Sequence, residues 1–371
     1  MPVPLLDLTR QYETIQPELE AAALGVLRSG RYVLGEEGKA LERELAASIG
    51  AKHVIGMSSG TDALLAALMG LGVGPGDRVA VPVYSFFATA GVVARLGAEP
   101  VFVDVEPTWC NLDREALAEV LDSGPIKAAV FVHLYGSAQG VAEITSLLAA
   151  RGIPLVEDAA QAIGTRVDGR AAGTFGICGC FSTFPTKNLG GTGDGGFLAT
   201  NDDDFATKMR QMRHHGQTTA YEHAFIGGNF RLDELQAACL RVKLRQLDSW
   251  TEARRGNAAL YRKLVAAQGG DARGIELPTD VPDRHAYHQF VIHVPTDQRD
   301  ALRERLREAE IGCSVYYPLP FHRQPCFRDL PSARRAFPVA EHKAASNLAL
   351  PIFPELTTDE IEAVAAGLCA S

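Results

Sequence analysis

Hydrophobic positions change their spacing along this chain, and each spacing predicts a different kind of element. Over 5–30, Leu19, Ala22, Ala23, Val26 and Leu27 recur at helical intervals, with Pro17 near the start and Ser29-Gly30 at the end. This predicts an N-terminal arm and then a helix. The short apolar segment Arg31-Tyr32-Val33-Leu34-Gly35 follows, and a second helix is expected over 37–49. From position 53, short apolar runs alternate with longer alanine- and leucine-rich stretches. They predict strands over 53–58, 78–83, 100–105, 128–133 and 154–157, separated by helices over 60–71, 86–96, 113–121 and 141–151. Two more apolar runs, 177–184 and 196–200, enclose a glycine-dense turn. Continuous apolar runs separated by helices mark a mostly parallel sheet covered on both faces, whose ligands collect beyond the carboxyl ends of its strands. That rule brings 59–61, 84–86, His133 and Asp158 toward one rim.

The alternation then stops. Residues 232–261 contain few helix breakers and predict one long helix or a helix pair leading away from the sheet. Beyond them the pattern is α+β: a strand over 288–294, a charged amphipathic helix over 297–310, a strand over 313–317 and a helix over 333–347. The expected organisation is a large α/β domain with its N-terminal arm, 1–250, and a smaller C-terminal α+β domain, 251–371.

A length of 371 residues accommodates two such domains, and 46% hydrophobic with 22% charged residues is ordinary for a soluble globular chain. No 18-residue apolar run and no basic-then-apolar N-terminus occurs, so neither a membrane span nor a signal peptide is expected. The seven cysteines are scattered, and Cys178 and Cys180 alternate within a strand-like run without a second pair at zinc spacing. They read as small buried hydrophobes in a reducing cytoplasm, with no metal site. A formal charge of −9 without any lysine- or arginine-rich run argues against nucleic acid as a partner. A phosphorylated small ligand is compatible, since backbone amides and helix N-termini bind phosphate locally.

Candidate chemistry lies at the strand ends. Ser58-Ser59-Gly60-Thr61-Asp62 opens a helix with free amides and hydroxyls, suited to a phosphate and equally to a plain N-cap. Glu157-Asp158 ends an apolar strand with two carboxylates, of which the pleat sends one to the rim. There it can hold a protonated heterocyclic nitrogen, or merely cap a turn. Phe86 offers a flat face for a ring or a core contact; Asn229 and Arg231 precede the long helix and by position read as nothing more than its caps. Lys187 follows a strand-like run within Phe-Ser-Thr-Phe-Pro-Thr-Lys-Asn-Leu-Gly. Taken alone it reads as a solvated loop lysine, but walled in it becomes an amine able to attack a carbonyl. A phosphate cradle, a ring platform, a carboxylate and an enclosed lysine together are what pyridoxal 5'-phosphate requires.

In this order the motifs are identifiable. S-G-R-Y-V-L-G, S-S-G-T-D-A-L, G-P-G-D-R-V, E-D-A-A-Q-A-I-G, F-S-T-F-P-T-K-N-L-G and N-F-R-L-D-E-L-Q-A-A resemble, across nearly the whole chain, those of the DegT-type (DegT/DnrJ/EryC/StrS) nucleotide-sugar aminotransferases. That family has the aspartate-aminotransferase-like fold type I, which implies a mostly parallel seven-stranded sheet in the large domain. The resemblance implies that Lys187 is the Schiff-base lysine and proton carrier, that Asp158 pairs with the pyridine nitrogen, and that Gln161 lies beside the ring hydroxyl. It implies that Phe86 stacks on the ring, that Gly60, Thr61, Asp62 and Ser182 belong to the phosphate site, and that Asn229 reaches the phosphate of a neighbouring subunit in a homodimer. Substrate contacts implied are Arg31, Tyr32, Arg231, Tyr317 and His322. Thr183 departs from the family, many of whose members carry an aromatic residue there.

Lysine at 187 argues for transamination over the dehydration catalysed by relatives with histidine. Tyr317-Pro318-Leu319-Pro320-Phe321-His322-Arg323-Gln324 is similar to the segment of members that aminate 3-keto nucleotide sugars. The resemblance therefore implies a 3-keto nucleotide sugar as acceptor and glutamate as donor. The alternatives are a 4-keto sugar or a regulatory protein that keeps fold and cofactor without turnover.

Overall fold

The structure, a computed structural model, describes residues 1–370. Helix α1 (Leu8–Ser29) starts where Asp7 accepts hydrogen bonds from the amides of Thr9 and Arg10, and ends at Gly30 with φ of 66°. This early cap places Pro17 inside the helix, not near its start as the apolar spacing suggested. Helix α2 (Glu36–Ile49) follows.

The central sheet has seven strands: β1 (His53–Met57), β2 (Arg78–Pro82), β3 (Glu99–Val103), β4 (Ala128–Val132), β5 (Leu155–Asp158), β6 (Cys178–Ser182) and β7 (Gly196–Thr200). Their spatial order is β1-β7-β6-β5-β4-β2-β3. Every neighbouring pair is parallel except those of β7, which runs antiparallel to both β1 and β6. The helices between the strands are α3 (Gly60–Gly70), α4 (Ala88–Arg95), α5 (Arg114–Asp122), α6 (Val141–Ala149) and, after β7, α7 (Asp203–Met212).

Alternate strand residues supply two cores. Ile55, Val79, Val81, Val130, Cys180 and Leu198 pack with α3, α4 and α7 on one face. Ala80, Val101, Ala129 and Phe131 pack with α5 and α6 on the other, where Val54, Phe181, Phe197 and Ala199 meet α2 and the later helix α8 (Glu234–Leu244). Five of the cysteines are buried and none is in a disulfide; Cys178 and Cys180 are core residues of β6.

The breaker-poor stretch is a helix pair, α8 and α9 (Leu247–Ala267), so position 250 falls in the first turn of α9. The distal half of α9 packs through Ala258, Tyr261 and Val265 on a second, two-stranded antiparallel sheet, β8 (Phe290–His293) with β9 (Asn347–Leu350). Helices α10 (Arg299–Glu308), α11 (Pro338–Ser346) and α12 (Thr358–Cys369) complete this smaller unit. Val3 lies in the same core, and Arg10 forms a bidentate pair with Glu360 (2.8 and 2.6 Å), so the N-terminal arm is anchored on the C-terminal unit.

Residues 313–317 are not the expected strand. Only Ser314 bridges Ala349, while the amides of Tyr316 and Tyr317 donate to the Asn347 side chain (2.8 Å) and the Tyr84 hydroxyl (2.7 Å). The true partner of β8 lies at 347–350, where the sequence pattern predicted a helix end. No helix among the described residues is long and apolar enough to cross a membrane.

Candidate active site

Beyond the carboxyl ends of β1, β2, β5 and β6 lies a cavity of about 500 Å³, walled by the seven-stranded sheet and its loops on one side and by His288, Gln289, Tyr316 and Tyr317 on the other. Gly60, Thr61, Phe86, Asp158, Gln161, Ser182, Lys187 and Tyr317, all marked out by the sequence, line it together.

The pleat of β5 separates its two carboxylates. Asp158 faces the cavity, where its Oδ2 accepts a hydrogen bond from Thr89 Oγ1 at 2.8 Å and its Oδ1 accepts from the Ala160 amide at 3.3 Å. Burial pushes its carboxyl above the usual range, opposed by these hydrogen bonds and by the charge of Lys187. Glu157, fully buried, faces the other way. It meets His133 Nε2 at 2.8 Å and accepts from the amides of Gly173, Phe175 and Gly176. His133 is therefore absorbed beneath the sheet and does not line the cavity toward which the strand-end rule directed it.

Lys187 sits on the turn after β6, its amide donating to the Phe184 carbonyl at 2.8 Å. The side chain is half-buried and its amine has no hydrogen-bond partner among the described residues. Burial brings it down to about 8, with the Asp158 charge working in the opposite direction. A fraction of the lysine is thus a neutral nucleophile near neutral pH.

The cradle is set by close approach of backbone. Gly60 opens α3 directly over β6, where a Cβ would stand 2.8 Å from Ser182 Cβ; a Cβ on Gly196 would stand 2.5 Å from the carbonyl carbon of Ser59. The Gly60 and Thr61 amides, in the first turn, have no acceptor within the helix. With the Ser182 hydroxyl they form an anion cradle at a helix N-terminus. Phe86 is 55% exposed, and its ring lies 6.1 Å from that of Tyr317. Gln161 Nε2 donates to the Tyr317 hydroxyl at 3.1 Å, and its carbonyl accepts from the Tyr135 amide. These residues fit pyridoxal phosphate: an amine for its aldehyde, a carboxylate with spare acceptor capacity for its ring nitrogen, and a cradle kept open by glycine for its phosphate.

Several expected residues lie elsewhere. Asp62 turns back to accept from the Ser58 hydroxyl at 2.7 Å and does not line the cavity. His322 is buried against Phe337, paired with Glu341 at 2.9 Å, and does not line the cavity. Arg31 and Tyr32 are exposed on the turn before α2, outside this chain's cavity. Asn229 and Arg231 bond each other at 2.7 Å, also outside it. Thr183 is buried with its hydroxyl unpartnered, so the departure at that position faces the interior. Two contributors escaped the sequence reading. Thr89 falls one helical turn beyond Phe86, a spacing that carried the signal. His288, kept neutral by burial and by Lys187, came from the smaller unit without any local motif.

The family model described as the DegT/DnrJ/EryC1/StrS aminotransferase family matches residues 13–369. The chain is 45% identical to a pleiotropic regulatory protein of Geobacillus stearothermophilus over 97% of its length and 96% of the relative's. It is 39% identical to a UDP-N-acetyl-3-dehydro-alpha-D-glucosamine 3-aminotransferase of Acidithiobacillus ferrooxidans, over 98% and 96% of the two chains. A crystal structure of a DegT DnrJ EryC1 StrS aminotransferase from Brucella abortus superposes with a TM-score of 0.93 at 36% identity, covering 99% of this chain and 98% of that one. The lysine, the carboxylate and the glycine cradle thus sit on a fold shared end to end with these proteins, and the chain belongs to the DegT/DnrJ/EryC1/StrS aminotransferase family, a family of pyridoxal-phosphate enzymes.

Proposed function

We propose that this aminotransferase moves an amino group from glutamate onto the keto carbon of a 3-keto nucleotide sugar. The observation that carries transamination is the depressed amine of Lys187, opening into the same cavity as the Asp158 carboxylate. Pyridoxal phosphate, when bound, supplies the electron sink and carries the amino group between donor and acceptor. Lys187 would hold the cofactor covalently, and its Nζ, once released, would hold and return the proton. Asp158 keeps the ring nitrogen protonated, and Thr89 keeps Asp158 aimed at it. Gly60, Thr61 and Ser182 hold the phosphate, Phe86 covers the ring, and Gln161, fixed by Tyr317, orients its hydroxyl.

The 3-keto preference is supported by the relative named for a 3-dehydro sugar. His322 gives it no direct support, because it is buried away from the cavity. A homodimer is supported by exposed Tyr32, Val33, Leu34, Tyr221 and Ile226 on the segments around Arg31 and Asn229. In that arrangement Arg31, Tyr32, Asn229 and Arg231 serve the partner's site. The regulatory reading draws on the name of the 45% identical relative. A complete lysine–aspartate pair favours turnover.

Mass spectrometry of products from a panel of UDP- and dTDP-linked 3-keto and 4-keto sugars with glutamate decides the acceptor. Amino product from 4-keto sugars alone overturns the 3-keto assignment, and none from any sugar supports the regulatory reading. Borohydride is expected to fix the cofactor to the native chain and not to Lys187→Ala. Retention in the variant refutes the assignment of Lys187.

A further inference from the structure

A second cavity, of about 240 Å³, lies where the smaller unit meets the loop after β3. Its walls include Trp109 from that loop, Leu277 and Pro278 from the strand-like lead into the smaller unit, Val291 and His293 from β8, and Lys343 from α11. No residue assigned to cofactor or substrate lines it.

Lys343 has no evident business in the fold. It is 5% exposed, yet its ammonium donates no hydrogen bond to any described residue; the nearest carboxylate, Glu276, stands 3.8 Å away on a side chain 69% exposed. A buried cation is ordinarily paired and hydrogen-bonded, because its lost hydration must be replaced. Here Lys343 lines the cavity, with Glu276 on the same wall as its only carboxylate within 4 Å among the described residues. The neighbouring imidazoles add no competing charge: burial, together with Lys343 for His293, brings His285 and His293 down to about 3, so both are neutral at physiological pH. His293 is held through Nδ1 by the Ser346 hydroxyl at 2.9 Å, and its Nε2 has no protein partner among the described residues. Beside the ammonium the wall is mixed: Glu276, Thr279 and Tyr135 contribute polar groups, and the Trp109 ring, Leu277, Pro278 and Val291 form its apolar part.

We propose that this cavity is a second ligand site, taking a small organic carboxylate with an apolar body: the carboxylate seated on Lys343, the body against Trp109. Gln289 lines both this cavity and the catalytic one, and its side-chain oxygen is buried without a partner. It is the one lining residue common to both walls among the described residues.

The chain has two tryptophans, and the other, Trp250, is buried in the packing of α9 on α1. A Trp250→Phe background therefore makes Trp109 emission a reporter of this site. Cyclohexanecarboxylate, transparent at the exciting wavelength, is titrated into the cofactor-loaded protein. A saturable change in emission is expected, weakened at least tenfold by Lys343→Met, with the neutral isostere cyclohexylmethanol producing no saturable change. Leu277→Gln, which leaves the ammonium in place and makes the wall more polar, is expected to weaken cyclohexanecarboxylate but not inorganic sulfate, and it serves equally if Lys343→Met fails to fold. Emission that changes only linearly, equal binding of the alcohol, or unaltered binding in both variants overturns the proposal. Saturation by sulfate alone overturns the carboxylate assignment, leaving an anion site.

Discussion

Glu157 and Asp158 are neighbours on one strand, both buried, both acidic, and they do opposite things. Glu157 is saturated: an imidazole and three backbone amides converge on it, tying the 173–176 loop beneath β5 and β6. Asp158 has a threonine hydroxyl and one long amide contact, and the rest of its acceptor capacity faces the cavity. What makes one an anchor and the other a functional group is how much of its hydrogen bonding the fold has already consumed. The two-residue period of the strand suffices to separate them.

This contrast is open to direct challenge. Asp158→Asn keeps the shape and the threonine contact but removes the charge. It is expected to lower kcat by about 10²- to 10⁴-fold, within the range of acid–base and electrostatic contributions, with an unchanged melting temperature. A kcat near that of the native enzyme erases the distinction.

Glu157→Ala leaves an imidazole and three amides buried without an acceptor. Unfolding free energy should fall by about 3–5 kcal/mol, read by denaturant titration, while the folded fraction still turns over. Loss of turnover at full stability would move Glu157 into the catalytic class.

Thr89→Val withdraws the donor that aims Asp158. About a tenfold loss of kcat is expected, the worth of one hydrogen bond to a charged group, and steady-state kinetics against the native enzyme measure it.

The smallest effect is on pH. With the Lys187 amine brought down from 10.5 to about 8, covalent attachment of pyridoxal phosphate to cofactor-free protein should accelerate with rising pH and reach half its maximum near 8. Absorbance follows it, and a midpoint near 10.5 refutes burial as the cause. The sign for stability is consistent. The folded state disfavours the ammonium, so the cost to the cofactor-free fold is full below about 8 and is relieved as pH rises from there to 10.5.

The sequence made the sheet and its rim readable because continuous apolar runs and glycine-rich turns are local signals. Asp158 ends a strand and Gly60 follows one within a few residues, so the strand-end rule brought these two to one rim, whereas Lys187 and Ser182 were marked by the motif around them. Where backbone donors are satisfied by distant side chains, local reading failed. Val315, Tyr316 and Tyr317 look like a strand, yet Asn347 and Tyr84 take the amides of Tyr316 and Tyr317, more than thirty and two hundred positions away. His322 stands in a motif-like segment, but its partner Glu341 and its burial are tertiary facts. The resemblance groups Asp62 with the phosphate site, though its side chain turns back to Ser58.

The glycines at 60 and 196 have a consequence for altering this enzyme. The floor on which they stand tolerates no added carbon without displacing Ser182 or the Ser59 backbone, so mutational diversification there ends in loss of the cradle. Variation of the cavity belongs on the opposite wall, at Gln289, Tyr316 and Tyr317.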